Sequence, residues 1–159
     1  MAAKVRPIAA EVTVRRAGMA DLSAMTALFM GYLEFYGAPG EPAEATAFLA
    51  ERIAREQSIV LLARAGTDDV GFTQIYPTFS SVRRAPVWVL NDLYVRPESR
   101  LLGVGRALIR AVVALAEEAG VVRVTLSTDE SNRSAQALYE AEGFTTGHPV
   151  RYYTRRVSS

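Results

Sequence analysis

Apolar positions change their spacing several times along this chain, and each change predicts an element. Val12-Thr-Val14 alternates as a short strand. Asp21 stands as an N-cap ahead of Leu22, Met25, Phe29, Tyr32, Leu33 and Tyr36, which recur at helical spacing. Gly37-Ala-Pro-Gly40 breaks that helix, and Pro42 followed by Ala45, Phe48, Leu49 and Ile53 predicts a second one. The apolar run Ile59 to Ala65, the turn Gly66-Thr-Asp-Asp69 and the run Val70 to Phe79 read as a β-hairpin. A polar stretch from Ser80 to Ala85 leads to a strand over Val87 to Val95, which Pro97 closes because it cannot donate to a ladder. Val104, Leu108, Val112 and Leu115 place a helix over about Gly103 to Glu118, and Gly120 stops it. A strand over Val121 to Ser127 and a helix over Ser131 to Glu142 come next, with Gly143 as the residue past the helix end and Phe144 as its apolar contact. Tyr152 to Val157 reads as a closing strand.

This order, β-α-α-β-β-β-α-β-α-β, predicts an α/β class fold: a mixed sheet flanked by helices. The hairpin makes antiparallel neighbours, and the crossover helix between the Val87 and Val121 strands makes one parallel pair. Residues 11–159 are expected to form a single domain, and 1–10, which lack periodicity, a mobile N-terminal extension. The 159 residues carry a net charge of +1, so bulk attraction to nucleic acid or an anionic membrane is not expected. There is no Cys, which removes disulfides, thiol nucleophiles and thiolate-bound metals. His148 is the single histidine, assigned to a turn before Pro149, and no metal site is expected. No secretory signal and no run of ~18 apolar residues is present, so a cytoplasmic protein off the membrane is expected.

The chemistry concentrates where the Val87–Val95 strand meets the following helix. The joining loop carries Arg100-x-x-Gly103-x-Gly105. A helix N-terminus exposes unpaired N–H groups and a partial positive charge, and so binds anions. Arg100, Arg106 and Arg110 crowd that start while Glu117 and Glu118 sit at the end, the reverse of what the helix dipole favours. Such a pattern predicts an anion, with phosphate or pyrophosphate the natural candidate. A dinucleotide-binding fold would want a third glycine where Leu108 stands and a repeated βαβ unit, although Asp129 lies near the acid of that fingerprint. A P-loop fails, since no Gly-x-x-x-x-Gly-Lys-[Ser/Thr] exists. Taken alone, the glycines read first as a plain turn with solvated arginines.

Two segments carry a more specific likeness. Leu93-Tyr-Val-x-Pro with Arg100-x-x-Gly103-x-Gly105 resembles motif A of the GCN5-related N-acetyltransferases (GNAT), whose loop reads [Gln/Arg]-x-x-Gly-x-[Gly/Ala]. Asn132-Arg-Ser-Ala-Gln-Ala-Leu-Tyr139-Glu-Ala-Glu-Gly-Phe144 resembles motif B of the same superfamily, at the expected distance. The likeness spans about residues 12 to 157. It implies the GNAT acyl-CoA N-acyltransferase fold, a mostly antiparallel central sheet with one splayed parallel pair. It also implies acetyl-CoA as cofactor, its pyrophosphate held by the backbone from Arg100 through Leu101, Leu102, Gly103, Val104 and Gly105 to Arg106. Leu101 and Leu102 depart from the common Arg-Gly-Lys-Gly form, removing a basic and a flexible residue. The main chain at Leu93 and Val95 would pair with the pantetheine arm and polarise the thioester carbonyl. Asn132, two helical turns before Tyr139, would contact CoA, and Tyr139 would protonate the departing thiolate. The plainer readings are a core aromatic for Tyr139 and an N-cap for Asn132, the latter compatible with cofactor contact.

The acceptor side is less defined. Asn91 takes a position that holds a Glu in the diamine acetyltransferases resembled locally by Leu-Asn-Asp-Leu-Tyr-Val, and Asn cannot be a base. Strand alternation puts Asp92 on the opposite face, alongside Trp88, Leu90 and Tyr94, either as the base or as a hydrogen-bonded structural acid; a base acting through water, or Glu34 of the first helix, is the other route. Tyr32, Glu34, Tyr36 and Tyr76 are candidate acceptor contacts, since aromatics with an acid suit a cation; packing of the tyrosines and solvation of Glu34 are the alternatives. The resemblance implies direct acetyl transfer to a primary amine, with a small polyamine or amino-acid-like acceptor in front. Peptide N-termini or protein lysines, and a non-catalytic acyl-CoA-binding module, are the other readings. A homodimer is expected by analogy with the family.

Overall fold

The computed structural model describes residues 11–147 and 149–158. The expected N-terminal extension and the turn at His148 lie outside the described residues. The elements are β1 (Val12–Arg16), α1 (Leu22–Phe35), α2 (Pro42–Ala54), β2 (Ile59–Ala65), β3 (Asp68–Ser80), β4 (Ala85–Val95), α3 (Val104–Glu118), β5 (Val124–Thr125) and α4 (Arg133–Ala141). Among the described residues the strands form one sheet in the order β1-β2-β3-β4-β5. The first four are antiparallel, and β5 runs parallel to β4.

Alternation along the strands sends side chains to two cores, one on each face. Leu61, Ala63, Ile75, Trp88 and Leu90 pack against Leu108 and Val112 of α3. Val60, Leu62 and Phe72 pack against Met25, Leu28 and Phe29 of α1 and Leu49 of α2. α3 buries one stripe of a strongly amphipathic surface, as its spacing predicts. Gly71 lets the N-terminal turn of α3 close on the sheet. A Cβ there would lie 2.8 Å from the Tyr94 carbonyl oxygen and 3.1 Å from Val104.

The edge of β4 is only partly covered. β5 pairs only with Trp88 and Val89, so among the described residues β4 has no neighbour on that side from Leu90 onward. Residue pairing to β3 slips by one along the way: Gln74 faces Asp92, and Ile75 faces Leu90. Asn91 is therefore an extra residue in β4, a bulge, and it reverses the alternation beyond it.

That bulge corrects the placement of Asp92. Trp88 and Leu90 face α3, whereas Tyr94 joins the core under α1, and Asp92, paired to Gln74, shares the Tyr94 face. Simple alternation through Asn91 predicts one common face for all four. The closing strand expected over Tyr152 to Val157 is not formed either. Those residues belong to no element and are exposed, because a two-residue β5 offers them no ladder to extend. The strand expected over Val121 to Ser127 shrinks to Val124–Thr125, because its pairing to β4 ends at Val89. Asp21 does stand at the N-cap position of α1, but its carboxylate does not cap that helix. It accepts the Gly18 N–H at 2.9 Å and pairs with Arg15 at 2.7 Å, closing the short turn before the helix.

Gly71→Ala should destabilise the protein by about 1–3 kcal/mol, the usual cost of forcing an atom into a packed interior. The check is the urea midpoint at unchanged slope; a midpoint equal to the parent protein's would show that α3 is not seated there.

Candidate active site

Where β4 parts from β5, an open cleft of about 880 Å³ runs along the free edge of β4. Its floor is set by hydrogen-bond parity. The Arg96 N–H donates to the Val70 carbonyl at 2.9 Å, which makes Gly71–Val95 a non-hydrogen-bonded pair. The N–H and C=O of Leu93 and Val95 therefore point away from β3, towards the gap. Arg100 turns back and donates its Nε–H to the Val95 carbonyl at 3.1 Å, with its guanidinium 5.3 Å from the Phe35 ring centroid.

The loop after β4 forms one wall. Leu101 and Gly103 both take positive φ, 63° and 81°. Gly103 adopts that conformation freely, while Leu101 adopts it under strain and with a fully exposed side chain. The first regular bond of α3 runs from the Ala107 N–H to the Gly103 carbonyl at 3.0 Å, and no side chain caps the helix. The N–H groups from Leu101 through Arg106 are thus without a protein acceptor among the described residues. Consecutive free donors beside glycines make a cradle for an anion with several oxygens, and this fits a pyrophosphate.

Charge contributes less than the sequence pattern suggests. Glu142, just past α4, pairs with Arg106 and Arg110 at 2.7 Å each, and the Arg110 hydrogen bond first of all holds its carboxyl below the usual range. Two of the three arginines at the helix start are answered by an acid from the next helix.

α4 forms the opposite wall and is fixed at both ends. Asn132 is its N-cap, its Oδ1 accepting the Ala135 N–H at 3.2 Å, while it also lines the cleft. At the other end Gly143 is left-handed, and the Phe144 N–H returns to the Tyr139 carbonyl at 3.0 Å. Tyr139 is nearly buried, with its ring 6.0 Å from Phe144. Burial first, and the nearby Tyr36 hydroxyl second, push its pKa up to about 12. At neutral pH it is a protonated donor.

The cleft brings together Leu93, Val95, Arg100, Leu101, Gly103, Val104, Gly105, Arg106, Asn132 and Tyr139, with Tyr36 and Asn91. Leu102 does not line it and points to solvent. Glu34 lies on a separate shallow depression at the end of α1 with Gly37, Pro39 and Gly40. Tyr32, Tyr76 and Asp92 lie behind β4, on its α1 side. Burial and then the Asp92 carboxylate raise the pKa of the Tyr32 hydroxyl, and the same two causes, in that order, push Tyr76 up to about 12. Asp92 is 3% exposed, its Oδ2 accepting from Gln74 Nε2 at 2.6 Å and its Oδ1 from Asn91 Nδ2 at 3.0 Å. Gln74 and the Phe35 contact with Arg100 escape a sequence reading. The signal for Gln74 is a long polar side chain within the apolar-rich middle of β3, beside Phe72 and Ile75.

The Acetyltransferase (GNAT) family model matches residues 24–144. The chain belongs to the GNAT family. It is 39% identical over 133 residues to the uncharacterized N-acetyltransferase YhfO of Bacillus subtilis (strain 168), covering 84% of this chain and 89% of that protein. It is 31% identical over 149 residues to an aminoglycoside N(6')-acetyltransferase type 1 of Stenotrophomonas maltophilia, covering 92% and 94%. A crystal structure of a probable acetyltransferase superposes with a TM-score of 0.86 at 36% identity, over 92% of this chain and 99% of that one. The protein is therefore an acyltransferase enzyme with the GNAT fold, and its family generally uses acetyl-CoA. No helix among the described residues is long and apolar enough to cross a membrane.

A Cβ on Gly105 would stand 3.1 Å from Leu138 of α4. Gly105→Val should push the two cleft walls apart and weaken CoA binding at least about tenfold, as isothermal titration would show, while the fold survives. Unchanged affinity would separate this loop from the anion.

Proposed function

We propose that this GNAT enzyme transfers an acetyl group from acetyl-CoA to the primary amine of a small molecule, by direct attack with both substrates bound. The observation that carries the reading is the row of unsatisfied amides from Leu101 to Arg106 beside the main chain of Leu93 and Val95, which faces away from β3 with the Val95 carbonyl held by Arg100. The amides suit the pyrophosphate, and the β4 edge suits an extended amide-bearing arm laid along it as an added strand. Asn132 lines the same cleft and can meet the arm from the α4 side. Bound acetyl-CoA would supply an activated acyl thioester.

The remaining steps belong to this chain's own residues. Asp92 takes one proton from the acceptor ammonium. The freed nitrogen would form the C–N bond as the C–S bond breaks, the Tyr139 hydroxyl giving its proton to the departing sulfur and the second proton shed by the acylated nitrogen restoring the phenol. A main-chain N–H at Leu93 or Val95 polarises the acyl oxygen while this happens. The raised pKa of Tyr139 keeps it protonated and able to act as the acid. Tyr36 and Asn91 border the cleft and would touch the acceptor as it enters, with Tyr32 and Tyr76 above Asp92. Glu34, on a separate depression, is left with a role at the entrance only.

A polyamine or amino-acid-like acceptor remains in front. The relative from Stenotrophomonas maltophilia is named for aminoglycosides, molecules that carry several primary amines, and it matches nearly the whole chain. The single-domain organisation over 11–159, a cytoplasmic setting and a homodimer belong to the same reading.

Release of free thiol from acetyl-CoA, measured across diamines, amino acids, aminoglycosides and short peptides, tests the reading. Turnover with small amines supports it; tight CoA binding with no thiol release from any of them would leave a binding module instead. Tyr139→Phe should lower kcat by about a hundredfold or more, within the range of general acid contributions, with CoA affinity within about twofold. A full rate in that variant would remove Tyr139 from proton transfer.

A further inference from the structure

Gln74 is fully buried, yet its side-chain carbonyl oxygen has no partner among the described residues. Its amide orientation is fixed by its neighbour. Nε2 lies 2.6 Å from the Asp92 carboxylate, and the flipped amide would set oxygen against oxygen. A buried acceptor without a donor costs free energy, so an oxygen left this way in the interior wants a donor from elsewhere. Among the described residues the Asp92 carboxylate accepts from Gln74 at Oδ2 and from Asn91 at Oδ1, with the Tyr32 hydroxyl also beside it, whereas Gln74 Oε1 is left without a donor. Tyr32 and Tyr76, both partly buried, stand over Asp92. A primary ammonium is the complement of this arrangement, since it carries three N–H donors, no acceptor, and a charge opposite to that of Asp92.

The position in the fold agrees. The bulge at Asn91 sets Asp92 on the α1 face of β4, while the next residue, Leu93, turns its main chain into the cleft. One residue of chain separates the open acceptors from the strand edge along which an acyl arm would lie. We infer that Gln74 is an acceptor-recognition residue: its Oε1 takes one N–H of the incoming primary amine while Asp92 takes another. The inference rests on the acetyl-transfer reading above and names the feature of the acceptor that this site selects, a nitrogen that keeps two N–H groups after losing one proton. Selection against secondary amines follows, because a deprotonated secondary amine keeps a single N–H and must leave either Oε1 or Asp92 without its donor.

The probes are 1,5-diaminopentane and its N,N′-dimethyl derivative, which has only secondary amines. The variant is Gln74→Met, close in volume and unable to accept strongly. The parent enzyme should prefer the primary diamine in kcat/KM, and Gln74→Met should shrink that preference by about tenfold, the equivalent of one hydrogen bond to a charged donor. If Gln74 served only to hold Asp92, the variant would slow both amines alike and the ratio would stay as it was; that result overturns the inference. Calorimetric titration of the CoA-bound protein with the same two amines makes the comparison without turnover. Loss of thiol release with a preserved, Gln74-dependent preference in binding would refute acetyl transfer and keep the ammonium seat. Absence of amine binding to the CoA-bound parent would refute the seat itself. CoA affinity within about twofold of the parent shows that the variant is folded.

Discussion

The geometry of this protein turns on one extra residue in β4. An uninterrupted strand would keep Trp88, Leu90, Asp92 and Tyr94 on one face. With Asn91 inserted, Trp88 and Leu90 before it serve the core under α3, and Tyr94 after it joins the core under α1. The strand bends at the same point and leaves β5 behind after Val89. Three properties of the site depend on that bend: a gap between parallel strands, main-chain groups at Leu93 and Val95 that face it, and an acid turned to the far side. Each would be lost if the pleat were regular.

The phosphate-binding character of the loop comes from backbone rather than side-chain charge. Arg106 and Arg110 share Glu142, and Arg100 is engaged with the Val95 carbonyl and the Phe35 ring. What stays free is the sequence of amides ahead of Ala107. Glu142 also ties the end of α4 to the start of α3, so the two cleft walls are held by the same contact that tempers the positive field. At exposed arginines such pairs add little stability, and their effect is better read as fixing geometry.

Much of this was legible in the sequence because it is local. The α3 stripe of Val104, Leu108 and Val112, the left-handed Gly143 after α4, the capping role of Asn132 and the Gly-rich turn at Gly103 are all set by neighbours a few positions away. The rest depends on partners distant in the chain. The bulge is invisible because Trp88, Leu90, Asp92 and Tyr94 alternate without a break, and only the register with Gln74 and Ile75 exposes it. Glu142 and Arg110 are 32 positions apart, so the charge pattern of α3 looked unanswered. Tyr152 to Val157 has the composition of a strand, but β5 is too short to receive one.

The cradle of neutral amides has a consequence for turnover. On the acetyl-transfer reading, donor and product carry the same pyrophosphate, and a grip made of fixed N–H groups holds both alike. Binding energy used this way is uniform; it secures the complex without lowering the chemical barrier. The cycle can then advance only as fast as the deacylated carrier is let go. Softening of the local charge by Glu142 becomes a setting on the exit step, with a stronger positive field raising affinity and slowing release.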